Sequence, residues 1–73
     1  MLTVAGVKKV RNLIKKEGIT QTEFSKRWGI TSGMLSQVLM RKKGFGWEKS
    51  KEIVRITEGE VTLDDLGWKM DAT

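Results

Sequence analysis

The chain has 73 residues, with 14 lysine and arginine residues against nine acids, and it contains neither cysteine nor histidine. This length favours one domain with one modest core rather than an enzyme with a deep cleft. The missing residue types exclude disulfides, thiolate zinc sites, and histidine as a metal ligand or general base. We therefore expect a protein that is not an enzyme and that uses no cofactor, metal or small-molecule ligand.

Positive charge is concentrated in the first part of the chain. Residues 1–46 carry ten lysine and arginine residues against two acids, a net charge of +8, whereas residues 47–73 carry four against seven, a net of −3. Such segregation of charge on a small domain indicates a polyanionic partner. Nucleic acid is the first candidate for this partner, and a membrane surface is the second. No run approaches the roughly 18 apolar residues of a membrane span, and the start of the chain lacks the layout of a signal peptide. We expect a soluble intracellular protein.

The first predicted elements are two helices separated by a short turn. Apolar residues at positions 7, 10, 13 and 14 predict a helix over Val4–Glu17, which Gly18 ends as a left-handed cap. Thr20 and Glu23 have the spacing of a capping box, in which each side chain accepts a hydrogen bond from the backbone of the other. This box predicts a second helix that runs to about Trp28.

The later elements continue the helical pattern. Thr31 can cap a third helix through about Met40, and residues 41–46 form a basic, glycine-containing loop. A fourth helix is predicted over Trp47–Thr57, a turn at 58–60, and a last short helix that is capped by Thr62 and Asp65. Because no segment alternates like a strand, we expect an all-α bundle of about five short helices. It would form one domain over residues 1–73, with the tail after about residue 67 open to disorder.

The segment WGITSGMLSQVL, residues 28–39, breaks one helical pattern at Gly29 and soon starts another. A small Ser25 allows the second helix to pass close to the first, and Gly29 supplies the positive φ that a tight turn needs. An ordinary corner of a bundle and a corner that presents its second helix to a partner both fit this pattern. The wedge between the two helices would be filled by Phe24, Trp28, Ile30, Leu35 and Val38.

From Gln21 to Val38 this pattern resembles the helix-turn-helix of Cro/cI-type repressors, which include phage Cro proteins and the YdaS-like regulators. The resemblance covers about residues 7–66, and EIVRITEGEVTLDDL, residues 52–66, is similar to the ending of those proteins. The family often has alanine at the position of Ser25, and proline in the loop where this chain has Gly44 and Gly46. The second departure predicts a looser loop before the fourth helix.

The resemblance implies a lambda-repressor-like DNA-binding domain with the helix-turn-helix at helices 2 and 3. It implies a sequence-specific regulator of phage or prophage origin that binds double-stranded DNA and represses by occupying an operator. Operators of this family are usually palindromic, which implies two copies on DNA and a possible weak homodimer. The expected location is the cytoplasm of a bacterial host, in association with the nucleoid.

In such proteins the first residues of the second helix of the pair lie nearest the base edges of the major groove. Gln37 is the strongest candidate, because an amide can pair with both N7 and N6 of adenine. Short serine side chains can contact bases or phosphates, and Met34 can lie against a thymine methyl group. The alternative is that these residues are simply the solvated face of a bundle helix. The candidate base contacts are Thr31, Ser32, Gly33, Met34, Ser36 and Gln37.

Candidate phosphate contacts form a second set. Gln21 lies in the first turn of its helix, where free N–H groups and the helix dipole favour an anion. Residues 41–43 directly follow the third helix, which would lie in the major groove, and are therefore in reach of the flanking DNA backbone. For Lys26 and Arg27, in the second helix, the alternative is that their charge only keeps the protein soluble. Trp47 and Trp68 are predicted to pack rather than to stack on bases, and Asp64 and Asp65 to complement a helix dipole. The candidate phosphate contacts are Gln21, Lys26, Arg27, Arg41, Lys42 and Lys43.

Two further function classes fit parts of the chain. VKKVRNLIKK, residues 7–16, has the lysine-flanked apolar stripe of a helix that lies on a membrane surface. The same stripe is needed to cover the helix pair, so we expect no membrane partner. An antitoxin-type or other protein-interaction module that also binds DNA is the main alternative to a dedicated repressor.

Overall fold

Residues 1–68, the part of the chain that this computed structural model describes, contain four α-helices and no strand. The helices are α1 (Val4–Glu17), α2 (Gln21–Arg27), α3 (Ser32–Leu39) and α4 (Trp47–Ile56). The predicted all-α class is confirmed, and the predicted ends of these four helices lie within about one residue of the observed ends. The predicted tail falls largely on residues 69–73, outside the described residues.

The prediction of a fifth helix after Thr62 is wrong, because residues 63–67 form a single turn. The predicted cap is present: the Asp65 N–H donates to Thr62 Oγ1 at 3.2 Å, and the Thr62 N–H donates to Asp65 Oδ2 at 3.0 Å. Gly67, however, adopts φ +91°, and the Trp68 N–H donates back to the Leu63 carbonyl at 3.0 Å. This left-handed closure ends the turn before a helix can propagate.

Helices α2, α3 and α4 all end in a Schellman motif, with a left-handed residue just beyond the helix. The left-handed residues are Gly29 (φ +68°), Arg41 (φ +59°) and Glu58 (φ +53°). The predicted positive φ of Gly29 is therefore confirmed. At Arg41 and Glu58 a residue with a Cβ occupies a conformation that favours glycine. In each motif the N–H of the residue after the left-handed one donates to a carbonyl in the last turn of the helix. The Ile30 N–H donates to the Ser25 carbonyl at 3.0 Å, the Lys42 N–H to the Gln37 carbonyl at 2.9 Å, and the Gly59 N–H to the Val54 carbonyl at 2.9 Å.

The core draws on every helix and on the segments between and around them. The predicted wedge lies inside it, with Ser25 buried and Ile30 partly buried at the edge. The apolar stripe of α1 also faces this core. The buried apolar side chains are Leu2, Val10, Phe24, Trp28, Leu35, Val38, Leu39, Phe45, Ile53, Val61 and Leu66.

The first three residues are part of the packed structure, which the helical pattern did not indicate. Leu2 is fully buried, and its carbonyl accepts a hydrogen bond from Arg41 Nε at 3.0 Å. The Thr3 N–H donates to the Asp65 carbonyl at 3.1 Å, and the backbone of Met1 packs so closely on Gly44 that a Cβ there would collide with it. The segment thus connects the loop after α3 to the turn at 62–67.

The loop between α3 and α4 is held from two sides, in contrast to the looser loop that its glycines predicted. Gly44 lies against Met1, and Phe45 is 5% exposed. The ring of Phe45 meets that of Trp28 edge-on, with 6.0 Å between centroids. These contacts fix the position of the basic residues that follow α3.

Candidate nucleic-acid interface

The α2–α3 corner, residues 20–39, is built by two threonine caps and one buried serine. The Glu23 N–H donates to Thr20 Oγ1 at 3.1 Å, and the Met34 N–H donates to Thr31 Oγ1 at 3.0 Å. Both predicted caps are confirmed, but within the described residues the Glu23 carboxylate forms no return bond to the Thr20 N–H. Ser25 is 1% exposed, and its hydroxyl donates to the Thr22 carbonyl at 2.7 Å. A small polar residue can therefore lie under α3 without an unpaired hydroxyl.

The turn between α2 and α3 is fastened to α4 by Lys49. The ammonium group of Lys49 donates to the Trp28 carbonyl at 3.0 Å and lies 3.2 Å from a carboxylate oxygen of Glu52. The rings of Phe24 and Trp28 pack beneath the turn, with 4.7 Å between centroids. Sequence reasoning missed Lys49, because no local pattern links it to a carbonyl 21 residues away. The end of α2, where the turn into α3 begins, is therefore held against α4.

The outer face of α3 carries short polar side chains. Ser32, Gly33 and Gln37 are exposed, as is Thr31 at the N-cap, whereas Ser36 is half-buried. The Ser36 hydroxyl lies 3.9 Å from the sulfur of Met40. This face offers hydroxyl and amide groups that can both donate and accept hydrogen bonds.

Met34 lies apart from this exposed set. Its side chain is half-buried and packs against the core, on the side of α3 toward the rest of the molecule. Met40, in contrast, is 57% exposed at the end of α3. Of these two methionines, Met40 therefore presents more apolar surface to a partner than the predicted contact Met34.

Basic residues flank α3, and the structure divides them into two groups. Lys26, Lys42 and Lys43 are exposed and form no ion pair within residues 1–68. Arg27 is paired with Glu17, with 2.9 Å between Nη1 and Oε2, and Arg41 donates through Nε to the Leu2 carbonyl. Arg27 and Arg41 therefore form contacts within the folded protein in addition to carrying positive charge.

Gln21, the remaining candidate phosphate contact, is the first residue of α2 and is half-buried. Its place in the first turn agrees with the sequence prediction. Thr20 already caps the Glu23 N–H in this turn, so the earlier N–H groups of α2 are the ones available to an anion. A helix of seven residues contributes only a weak dipole, and Gln21 can add its amide donor.

Asp65 is the centre of a group of hydrogen bonds that joins the start of the chain and α1 to the turn at 62–67. Its carboxylate accepts from Lys9 Nζ at 2.8 Å and from the Thr62 N–H at 3.0 Å. Burial raises the pKa of the Asp65 carboxyl, but the hydrogen bonds from Lys9 and Thr62 and the charge of Lys9 outweigh it, so the pKa lies below its ordinary 3.8. The sequence predicted only a helix-dipole role for this residue.

The two predicted packing tryptophans form a pair on the side of α4. Trp47 and Trp68 meet edge-on with 5.0 Å between centroids, and Trp68 Nε1 donates to the hydroxyl of buried Ser50 at 2.8 Å. Trp47 nevertheless remains 42% exposed, with Lys51 Nζ 5.7 Å from its ring centroid. The prediction that both residues pack is confirmed, although Trp47 packs at the surface.

No helix within residues 1–68 is long and apolar enough to cross a membrane. The same residues hold no cluster of three or more acidic side chains that could ligate a metal. Comparisons with protein-family models, with curated proteins and with solved structures find no match to this chain.

Proposed function

We propose that this chain is a sequence-specific regulator of transcription that binds double-stranded DNA, with α2 and α3 as a helix-turn-helix. The observation that carries the proposal is the outer face of α3, where exposed Ser32, Gly33 and Gln37 lie on a helix held by a buried wedge. A rigid helix with a small, polar, uncharged face and basic flanks suits the major groove, where base edges present donors and acceptors.

The contacts divide into those that specify sequence and those that fix position. Gln37 can pair with an adenine through its amide, while Ser32 and Ser36 can reach bases or phosphates. Lys42 and Lys43 follow α3 and neutralise flanking phosphates, in a loop that is anchored by Phe45 and Gly44. Lys26, Arg27, Arg41 and Gln21 extend this phosphate set.

Repression would follow from occupancy of an operator that overlaps a promoter, since RNA polymerase and the regulator cannot share one stretch of DNA. This is the action expected of a phage or prophage Cro-like repressor. A single copy presents one α3, so a palindromic operator would be read by two copies, one helical turn apart.

Selection of bound sequences from a random double-stranded DNA library tests the proposal directly. We expect a consensus of two inverted half-sites, with binding that weakens steeply as salt increases. Enrichment without a consensus would contradict sequence-specific reading by α3. A single asymmetric half-site would contradict the palindromic arrangement alone.

A protein-interaction module that also binds DNA is the second candidate, and one surface favours it. A groove between α1, α2 and the end of α4 is lined by Leu13 and by Ile56, which is 42% exposed. Its border carries Glu58, Glu60 and the ion pair of Arg27 with Glu17, so acidic groups outnumber basic ones. This surface would suit a basic, apolar segment of a partner. Host proteins retained by the wild type but not by Ile56→Asp, with DNA binding unchanged, would support it.

A further inference from the structure

Gly33 differs from the other helical glycine of the described chain in having no structural reason to lack a side chain. A Cβ at Gly6, in α1, would collide with the backbone carbonyl of Asp65, so close packing requires glycine there. At Gly33, in the first turn of α3, the nearest atom to a Cβ outside the adjacent residues and the backbone of α3 would be Thr31 Oγ1, at 4.0 Å. That is an ordinary contact, and the φ of Gly33 lies outside the left-handed region.

Glycine at this position also disfavours the helix. It loses more backbone freedom on folding than alanine does, and at this exposed helical site no packing contact offsets that loss. Elsewhere in the chain a left-handed φ explains Gly18, Gly29 and Gly59. Within the described residues, neither packing nor backbone conformation requires glycine at position 33, on the exposed face of α3.

We propose that Gly33 leaves room for the 5-methyl group of a thymine, so that α3 selects this base by close fit. This inference rests on the proposed function. Glycine offers a partner only backbone, and its exposed Cα–H surface is apolar. The thymine methyl is the apolar group that base edges present in the major groove, and its size matches the missing Cβ. Gly33 would then determine specificity through the space it leaves rather than through a hydrogen bond.

The test combines one protein variant with one base change. Gly33→Ala should raise the melting temperature by roughly 2–8 °C, because alanine is the better helix residue. The same variant should bind the selected DNA site about 10- to 200-fold more weakly, the range associated with one misplaced methyl group. Replacing one thymine per half-site with deoxyuridine should restore most of that loss, because the base then lacks the group that meets the new Cβ. Each thymine is replaced in turn, and affinities are measured for both proteins.

Gly46→Ala is the matched control, since it adds the same Cβ in open space at the N-cap of α4. It should bind the site as the wild type does and gain nothing from deoxyuridine. Undiminished binding by Gly33→Ala, or a loss that no deoxyuridine restores, would overturn the thymine assignment while leaving DNA binding by the wild type intact. Failure of the wild type to select any DNA sequence would instead overturn the proposed function, and this inference with it.

Discussion

Lys9 and Asp65 join the first helix to the last turn of the described chain, with 2.8 Å between the ammonium nitrogen and a carboxylate oxygen. The backbone of Asp65 is equally engaged: its carbonyl accepts from the Thr3 N–H and its own N–H donates to Thr62. One residue thus holds the start of the chain, α1 and the final turn together.

Replacement of Asp65 with Asn should lower the free energy of unfolding at pH 7 by about 1–3 kcal/mol, because the carboxylate that pairs with the Lys9 ammonium group becomes a neutral amide. The pKa of Asp65 is lowered on folding, so its contribution is fully present above the ordinary value of 3.8 and is lost as the pH falls through the lower, folded value. Urea denaturation of wild type and variant should therefore converge in acid. Asp64→Asn, at the exposed neighbouring carboxylate, is the control and should change little at either pH.

Leu2→Ala tests whether the start of the chain belongs to the core. Leu2 is fully buried, and truncation of such a side chain typically costs about 2–5 kcal/mol. Val4, two residues later, is 56% exposed, so Val4→Ala should cost well under 1 kcal/mol, about what a surface change does. Thermal melting of the two variants side by side is sufficient. Equal melting temperatures would mean that residues 1–3 do not pack as described.

Local patterns predicted the helices because caps and apolar periodicity are properties of neighbouring residues. The bounds of α1, the threonine caps at 20 and 31 and the left-handed Gly29 all follow from spacings of a few residues. The long-range hydrogen bonds of Leu2, Lys49 and Asp65 span 21 to 62 residues, and no periodic signal encodes them. The missing fifth helix has a local cause, since its cap formed but Gly67 closed the turn.

At the candidate site, too, local sequence patterns predicted some features, while long-range contacts determined others. With Leu35, Val38 and Leu39 inward, helical spacing turns Gly33, Ser36, Gln37 and Met40 outward, and the structure agrees except that Ser36 is half-buried. Met34 and Arg41 are also among the candidate contacts, but Met34 packs toward the core and Arg41 Nε donates to the Leu2 carbonyl. Both differences arise from tertiary contacts that a single helix wheel does not contain.

The Schellman ends of α2 and α4 predict opposite effects for opposite substitutions. Gly29→Val forces a β-branched residue into φ +68° and brings a Cβ within 3.3 Å of Lys49 Nζ, so the free energy of unfolding should fall by about 1–3 kcal/mol. Glu58→Gly removes a Cβ from a left-handed position at an exposed site, so the free energy of unfolding should rise by about 0.5–1 kcal/mol. Chemical denaturation measures both. A gain for Gly29→Val, or a loss for Glu58→Gly, would contradict the described turns.

Lys42 and Lys43 should contribute to DNA affinity without contributing to specificity. Replacing either with Ala should weaken binding to all sequences alike and flatten the slope of log K against log salt by roughly one unit. Arg41→Ala should also lower the melting temperature, because it removes the hydrogen bond to the Leu2 carbonyl. Lys51→Ala, on α4 beside Trp47, is the charge-matched control. An unchanged slope in the Lys42 and Lys43 double variant would contradict the phosphate assignment.

Gln37→Ala tests whether Gln37 contacts a base or only faces solvent. Gln37 is exposed and uncharged, so its loss should leave both the melting temperature and the salt slope nearly unchanged. If the amide pairs with an adenine, the variant should lose about 1–3 kcal/mol on the selected site and relax its preference at one position in each half-site. Melting, salt titration and a panel of base substitutions provide the three readouts.

Asn12→Ala is the control for Gln37→Ala, since it removes another exposed amide from a helix, on α1 rather than α3. It should change none of the three readouts. A Gln37 that only faces solvent would behave in the same way, and this outcome would contradict its role in reading bases. Equal loss of affinity on selected and random DNA would instead assign Gln37 to the phosphate contacts. The base preference would then depend on Ser32, Ser36 and the space at Gly33, because these are the other positions where the outer face of α3 can meet a base edge.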